Sequence, residues 1–209
     1  MDERLIETDA DVAEGAAWLA ASEPRFAYAL SLTGPLPLRR REGGFEALLS
    51  AIVSQQISVA AARGVWAKLE AAGATDPARI MVLEAEELRA LGLSKQKAGY
   101  AKALAESRID FEALRRQRAE VVVRELTAVK GVGVWTAEIY AMFSLGRADV
   151  FAAGDLALQE GAKVLFGLDE RPKDSQLRIM AEAWTPWRAV AARLLWAYYH
   201  VIKDREGIT

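Results

Sequence analysis

Two closely spaced glycines and one aspartate are the residues of this 209-residue chain whose types and spacing could do chemistry. Residues 126–137 predict a helix, a tight turn on Gly131 and Gly133, and a second helix. The first backbone N–H groups of the second helix lack partners within it, and the helix dipole adds positive potential behind them. The turn is therefore suited to a phosphate, since glycine allows close approach and positive φ. Asp155 would then be a lone carboxylate beside a nucleic-acid backbone, which points towards catalysis.

Composition narrows the kinds of site that the chain can build. It has no cysteine, which excludes disulfides, cysteine-ligated zinc and an iron–sulfur cluster. Its single histidine, His200, argues against a histidine-rich metal site or a Ser-His-Asp triad. The sequence shows no apolar run long enough to cross a membrane and no basic-then-apolar leader, so we expect a cytoplasmic protein.

The charge of the chain is nearly balanced. A net charge of −2 and a pI near 5.7 argue against a protein that coats nucleic acid by bulk charge. The basic residues form three local clusters instead: Arg39-Arg40-Arg41; Lys95, Lys97 and Lys102; and Arg115, Arg116 and Arg118. Each cluster is more typical of a solvated face than of a phosphate contact.

The elements that must position the glycines and the aspartate are helices. Extended strand patterns are missing from the sequence, whereas helical spacing and capping signals recur. The segment Leu156–Phe166 is predicted to be one helix, ended by Gly167. The last long helix is predicted to begin at Thr185-Pro186 and to run to about Lys203. We therefore expect an all-α fold.

The last helix carries a large aromatic residue off its main apolar face. Trp187, Leu194 and Tyr198 share the face that predicts core packing. Trp196 points to the opposite side, among small residues. It could pack against a neighbouring helix or form the wall of a pocket, and spacing alone leaves both open.

The turn and its surroundings resemble the helix-hairpin-helix DNA glycosylase superfamily. The residues that carry the resemblance are Leu126, Val129-Lys130-Gly131-Val132-Gly133 and Trp135-Thr136-Ala137, with Asp155 in the place of the family's catalytic aspartate. The family's first core helix and the loop after it are similar to Gly43-Gly44-Phe45-Glu46 and Ser54–Ser58. The closing helix of the 3-methyladenine DNA glycosylase II branch resembles residues 184–196.

This resemblance covers about residues 16–203 and implies two helical lobes with a lesion pocket between them. One lobe would span residues 44–146 and end in the hairpin. The other would join residues 1–43 to 147–209 and carry the catalytic aspartate. The chain resembles a compact form of the branch without its N-terminal β-rich domain. The resemblance implies a bacterial, nucleoid-associated monomer that binds double-stranded DNA with alkylated bases and no membrane.

The implied reaction is hydrolytic removal of alkylated purines, of the 3-methyladenine type, in base excision repair. The damaged nucleotide must be flipped out of the duplex. Asp155 would stabilise the positive charge on C1′ and orient or deprotonate the attacking water. Gly-Asp-Leu before a helix is also an N-cap pattern, and the two roles are compatible because a cap holds the carboxylate rigidly. Relatives that cut the strand place a Schiff-base lysine where Trp135 stands, so we expect no lyase activity.

The resemblance also implies the DNA contacts. Backbone N–H groups of the hairpin would hold a phosphate, and the expected DNA-binding residues there are Lys130, Gly131, Val132, Gly133 and Thr136. Gln56 stands where the branch inserts an apolar wedge into the gap left by the flipped base. Its alternative role is that of a loop amide capping the helix after Ser58, which is itself an expected DNA contact.

Aromatic pocket walls are expected because a cationic base is favoured by cation–π contact and leaves without a general acid. Trp196 is the first candidate for such a wall, and Trp135 and Tyr140 are weaker ones. Helical spacing favours core packing for Trp135. An aromatic residue of the branch is replaced here by Ile139. No cofactor is expected beyond a Na⁺ or K⁺ ion on the backbone carbonyls of Thr127, Val129 and Val132.

Two other carboxylates near these motifs are not expected to act in catalysis. Glu138 is predicted to be a solvated helix position and Asp149 a loop or capping residue.

Three other functions remain open at this point. A non-catalytic DNA-binding module would use the hairpin but would not need Asp155. A glycosylase for oxidised, mismatched or other damaged bases is the second alternative. The missing lysine and cysteines count against its strand-cutting and iron–sulfur branches. A purely structural helical protein would have no use for the phosphate-binding turn.

Overall fold

The computed structural model describes residues 3–205, and these residues form thirteen α-helices and one short 3-10 helix. In chain order they are α1 Asp9–Ser22, α2 Pro24–Thr33, α3 Phe45–Ser54, α4 Val59–Ala71, α5 Pro77–Val82, α6 Ala85–Ala90, α7 Lys95–Glu106, α8 Phe111–Arg116, α9 Ala119–Thr127, α10 Val134–Phe143, α11 Leu156–Phe166, α12 Asp174–Ala181, the 3-10 helix Glu182–Trp184 and α13 Arg188–Arg205. The predicted all-α class is confirmed. None of these helices combines the length and the apolar character that crossing a bilayer requires.

The chain divides into two compact units. The first unit comprises Met1–Arg40 and Ala141–Thr209, and the second comprises Arg41–Tyr140. The family resemblance places the two divisions a few residues later, after residues 43 and 146.

Helix α13 is the central element of the first unit and packs against α1, α2 and α11. It buries Val190, Leu194 and Leu195, as its apolar face predicts. Gly15 on α1 permits this packing, because a Cβ atom there would lie 2.6 Å from the ring of Trp187. The helix begins at Arg188 and not at Thr185-Pro186, since the 3-10 helix and an extended Thr185, with ψ of 135°, come first.

Helix α7 is the corresponding element of the second unit and packs against α3, α5 and α6. Its buried side chains are mostly small, Ala98 and Ala101 with Leu104. Small residues let α3 approach closely, and α3 presents a fully apolar face of which Leu49 and Ile52 have no exposed surface. The first helix of the hairpin and its turn also belong to this unit.

Candidate active site and nucleic-acid interface

The hairpin consists of α9, a tight turn and α10, as predicted. The turn is closed by the Val132 N–H, which donates to the Val129 carbonyl at 3.0 Å. Gly131 has a φ of +97°, and a Cβ atom on it would overlap the ring of Tyr100. Only glycine fits at this position. Gly133 has no positive φ and faces open space, so the predicted need for positive φ holds for Gly131 alone.

The turn leaves backbone N–H groups available to an anion. No acceptor within residues 3–205 binds the N–H of Gly131 or of Gly133. The Val132 N–H closes the turn and the Val132 side chain is buried, and its DNA contact stays a prediction. Thr136 is also buried and can offer only its backbone N–H, in the first turn of α10. Lys130 is exposed beside the turn.

A cleft of about 410 Å³ lies beside the turn glycines, within the second unit. Gln55 lines it and donates from Nε2 to the Gly131 carbonyl at 3.1 Å. Lys97 also lines it and donates from Nζ to the Val53 carbonyl at 2.7 Å. Burial lowers the pKa of Lys97. The sequence pattern groups Lys97 with solvated cations and does not reveal Gln55, because these contacts join residues 44 and 76 positions apart, beyond any local signal.

Gln56 is an exposed residue of the loop between α3 and α4. Its φ of +56° is left-handed, which costs energy for a residue other than glycine and is concentrated at functional sites. Helix α4 is capped by Ser58, whose hydroxyl accepts from the Ala61 N–H at 3.2 Å. The alternative role of Gln56 as a cap is therefore wrong. Its role as a wedge, and the DNA contact of Ser58, stay predictions.

Asp155 is the N-cap of α11 in the first unit, as its sequence pattern predicts. Its Oδ1 atom accepts from the backbone N–H groups of Ala157 at 2.9 Å and Leu158 at 3.1 Å. The same oxygen accepts from the indole Nε1–H of Trp196 at 3.1 Å. The residue is half-buried. Three donors on one oxygen fix the orientation of the carboxylate.

The loop that presents Asp155 is braced by both helices that follow it. Gln159 on α11 is buried and donates from Nε2 to the Ala153 carbonyl at 2.9 Å. Arg178 on α12 reaches the Phe151 carbonyl, with Nη1 at 3.5 Å. Neither residue is evident from the sequence pattern, although both support the backbone that carries Asp155.

The aromatic candidates occupy three different environments. Trp196 is 8% exposed, and its ring centroid lies 5.8 Å from that of Phe143. Trp135 is 46% exposed, so the expectation of core packing is wrong. Tyr140 is buried, and its hydroxyl accepts from the Gly44 N–H at 2.8 Å. Burial raises the pKa of Tyr140. The hydrogen bond with Gly44 gives Tyr140 a structural role in the second unit. Of the three aromatic residues, Trp196 is the one that contacts Asp155.

The predictions for the carboxylates of Asp149 and Glu138 have different outcomes. Asp149 is a loop residue, as predicted, and makes a bidentate ion pair with Arg188 at 2.8 and 3.0 Å. Glu138, predicted to be solvated, is 5% exposed, and that prediction is wrong. Helix α10 is apolar along almost its whole length and buries most of its circumference, so periodicity did not reveal which side faces solvent.

The hairpin carbonyls are the predicted ligands of a monovalent cation. Thr127 and Val129 lie at the carboxyl end of α9, where the helix dipole is negative. The Val129 carbonyl accepts one hydrogen bond, from Val132, and a carbonyl oxygen has a second lone pair. Within residues 3–205, no group of His, Cys, Asp or Glu side chains could hold a metal ion.

Comparison with known proteins is consistent with this geometry. Residues 49–189 match the family described as HhH-GPD superfamily base excision DNA repair protein. An alkylbase DNA glycosidase-like protein of Schizosaccharomyces pombe is 28% identical over 200 residues, which cover 90% of this chain and 94% of that protein.

Two solved structures share the architecture along nearly the whole chain. A DNA-3-methyladenine glycosidase from Bacillus halodurans superposes with a TM-score of 0.81 at 32% identity, covering 98% of this chain and 95% of the other. A 3-methyladenine DNA glycosylase of S. pombe in complex with abasic DNA superposes with a TM-score of 0.76 at 28% identity, covering 88% and 95%.

Proposed function

The chain belongs to the HhH-GPD superfamily of base excision DNA repair proteins, and we propose that it is a DNA glycosylase in which Asp155 drives hydrolytic removal of alkylated purines from duplex DNA. The observation that carries the role of Asp155 is the third hydrogen bond on its Oδ1 atom. A capping aspartate needs only the two backbone donors at the start of α11. The indole of Trp196, 41 positions away in the chain, adds a tertiary contact that fixes the carboxylate further.

The leaving group requires little help from the protein. Alkylation at N3 or N7 gives the purine a positive charge. When the bond between C1′ and the base nitrogen breaks, its electron pair moves to the base, which leaves as a neutral molecule. No general acid is therefore needed for departure of the base.

The sugar is the part of the substrate that needs stabilisation. Loss of the base leaves positive charge on C1′, and a fixed carboxylate beside it lowers the energy of the transition state. Water then adds to C1′ and gives up a proton, for which Asp155 is the proposed acceptor. The products are the free base and an abasic site with both strands intact.

The hairpin would hold the DNA backbone during this reaction. The free N–H groups of Gly131 and Gly133 are suited to a phosphate oxygen, and exposed Lys130 adds positive charge. A monovalent cation on the carbonyls of Thr127, Val129 and Val132 would add electrostatic attraction for the same phosphate.

Strand cleavage is not part of the proposed activity. A lyase needs an amine that attacks C1′ and forms a Schiff base. The position after the hairpin holds Trp135, whose indole cannot form one.

The decisive experiment compares base release from methylated duplex DNA by the wild type and by Asp155→Asn. Asparagine caps helices about as well as aspartate, so α11 should stay folded. We expect release of 3-methyladenine or 7-methylguanine to fall about 100-fold or more in the variant. Wild-type products should remain uncut until alkali is added, and borohydride should trap no covalent complex.

The matched control is Asp110→Asn, since Asp110 is the N-cap of α8 and accepts from the Ala113 N–H at 2.9 Å. It should release bases at the wild-type rate. Equal release by Asp155→Asn and the wild type would remove Asp155 from catalysis. No release by the wild type, with DNA binding retained, would favour a non-catalytic DNA-binding module.

A further inference from the structure

Three arginines concentrate positive charge within the first unit. Arg193, on α13, is only 1% exposed. Its guanidinium donates from Nε and Nη2 to the Leu38 carbonyl at 3.2 and 2.9 Å, and from Nη1 to the Ala189 carbonyl at 2.8 Å. Arg39 and Arg40 follow Leu38 directly in the chain. Both lie near enough to Arg193 for their charges to act on it.

In the described part of the chain, this cluster has no carboxylate partner. Within residues 3–205, none of the three arginines forms an ion pair with Asp or Glu. Arg40 donates from Nη1 to the Ser144 carbonyl at 3.0 Å. Arg193 lies over the Phe143 ring, 4.8 Å from its centroid. The carbonyls accept hydrogen bonds from the guanidinium N–H groups, and the ring stacks on a guanidinium plane. Neither contact neutralises the positive charge.

The uncompensated charge is costly to the fold. Burial, with the neighbouring charges of Arg39 and Arg40, lowers the pKa of Arg193 to about 10, so the group is still protonated at neutral pH. A buried charge without a counter-charge destabilises a protein, and like charges beside it add to the cost. An external anion would relieve both effects.

The backbone presents one member of the cluster to solvent. Arg39 is exposed and has a φ of +53°, a left-handed conformation that costs about 1 kcal/mol or more for an L-residue with a Cβ atom. No residue in the described part of the chain binds its side chain. Arg39 therefore presents to solvent a guanidinium that has no partner within residues 3–205.

We propose that Arg39 and Arg40, with Arg193 behind them, form a phosphate-binding site of the first unit that contacts the DNA backbone, in addition to the hairpin of the second unit. This inference rests on the proposed function, since it takes the anion to be a phosphodiester of duplex DNA. The planar guanidinium suits a phosphate because it can donate two parallel hydrogen bonds to it. A chain of net charge −2 depends on such local sites to bind DNA.

The test is equilibrium binding of a short duplex with an abasic-site analogue, measured by fluorescence anisotropy over a range of salt concentrations. Arg39→Gln, Arg40→Gln and the double variant remove the charges. The double variant should bind about tenfold more weakly at low salt. Its plot of log K against log salt should be shallower by about two, close to one for each phosphate that is no longer neutralised. Binding is read without base release, so a failure of the proposed excision activity leaves this result interpretable.

Arg108→Gln is the matched control, because Arg108 is also an exposed arginine with a left-handed φ, +49°. It should bind DNA as the wild type does. Arg39→Gln is the variant that is safest for the fold, since it breaks no contact with residues 3–205, and circular dichroism should show an unchanged fold.

Two outcomes would overturn the proposal. In the first, log K for duplex binding by Arg39→Gln and by the double variant falls with log salt as steeply as it does for the wild type or for Arg108→Gln. In the second, the double variant binds the duplex as the wild type does, while millimolar inorganic phosphate raises the thermal stability of the wild type but not of the double variant. That result would assign the cluster to a small free anion.

Discussion

Asp155 combines a local cap with a tertiary contact on one oxygen atom. Each backbone donor of the cap is fixed by α11, while the indole donor comes from α13. Rotation of the carboxylate would break all three hydrogen bonds together. Such rigidity would suit the proposed catalysis, because a charge that is already oriented needs no reorganisation when charge develops on C1′.

The indole hydrogen bond can be removed without removing the ring. Trp196→Phe keeps an aromatic side chain against Phe143 but has no N–H donor for Asp155. We expect the single-turnover rate of base release to fall about tenfold, since one hydrogen bond to a charged group is removed. The stability to urea should change by only about 1–2 kcal/mol. A role of Trp196 that is confined to positioning Asp155 predicts that DNA affinity stays at the wild-type value.

The control for this variant is Trp66→Phe. Trp66 also donates its indole N–H to a carboxylate, Glu70, at 2.8 Å, on the surface of α4. Its loss should leave base release unchanged. Equal effects of the two substitutions, or an unaltered rate in Trp196→Phe, would contradict a positioning role for Trp196.

The sequence predicted Asp155 and its cap because both signals are local. The contact with Trp196 could not be predicted, since it joins residues 41 positions apart. Spacing showed only that Trp196 lies off the apolar face of α13, which is compatible with many neighbours. The prediction of core packing for Trp135 was wrong for a related reason. A helix with apolar residues on most sides does not reveal from its sequence which side is exposed.

At the scale of elements, the two glycines of the hairpin have separable roles. Gly131→Ala should destabilise the protein by about 2–4 kcal/mol, because the new methyl group would overlap Tyr100 and φ is positive. Gly133→Ala meets no atom within 4 Å. It should keep the fold and bind duplex DNA about tenfold more weakly, because the methyl group blocks approach of the phosphate. Urea denaturation and anisotropy measure the two effects.

Gly99→Ala provides a neutral comparison, since Gly99 lies within α7 and a Cβ atom there also meets nothing within 4 Å. It should be stabilised by about 0.5–1 kcal/mol and bind DNA normally. Normal DNA binding by Gly133→Ala would show that the phosphate does not approach this side of the turn.

The hydrogen bond from Gly44 to Tyr140 joins the start of α3 to α10 within the second unit. Burial raises the pKa of Tyr140 above its ordinary value of 10.0. The neutral phenol is therefore favoured in the folded state. Its contribution to stability is complete below about pH 10 and is lost as pH rises through the higher folded pKa.

Tyr140→Phe should lower the free energy of unfolding by about 1 kcal/mol at pH 8. The unfolding free energy of the wild type should fall more steeply above pH 10 than that of the variant, which lacks the titrating group. Urea denaturation from pH 8 to pH 11 checks this. Parallel profiles would mean that Tyr140 titrates alike in the folded and unfolded chains.

End signals define some helices in the sequence, but they do not lead to every helix that the structure contains. Helix α11 has the predicted bounds because Asp155 caps it and Gly167 adopts a left-handed conformation after it. Helices α1 and α2 are not among the helices predicted from the sequence, although Thr8 caps α1 and Pro24 begins α2. Helix α1 is rich in alanine, and its buried face of Val12, Gly15, Ala16 and Leu19 differs little from the rest in hydrophobicity.

At the scale of the whole molecule, binding to DNA has to come from a few sites. With a net charge of −2 the chain as a whole repels DNA weakly, so attraction depends on the hairpin and on the arginine cluster. The lesion pocket between the lobes stays a prediction of the family resemblance. The number of DNA phosphates that the protein neutralises can be measured independently of that pocket.

Counterion release gives this number directly. With contacts limited to the hairpin, Lys130 and the arginine cluster, about three phosphates are neutralised, and log K should fall against log salt with a slope of about −3. Anisotropy between 50 and 200 mM salt would measure it, and sedimentation velocity should show the 22.9 kDa monomer at the same concentrations. A slope of about −6 or steeper in a monomer would require a broad basic face, and the clusters around Lys95 and Arg115 would then be phosphate contacts and not solvated residues.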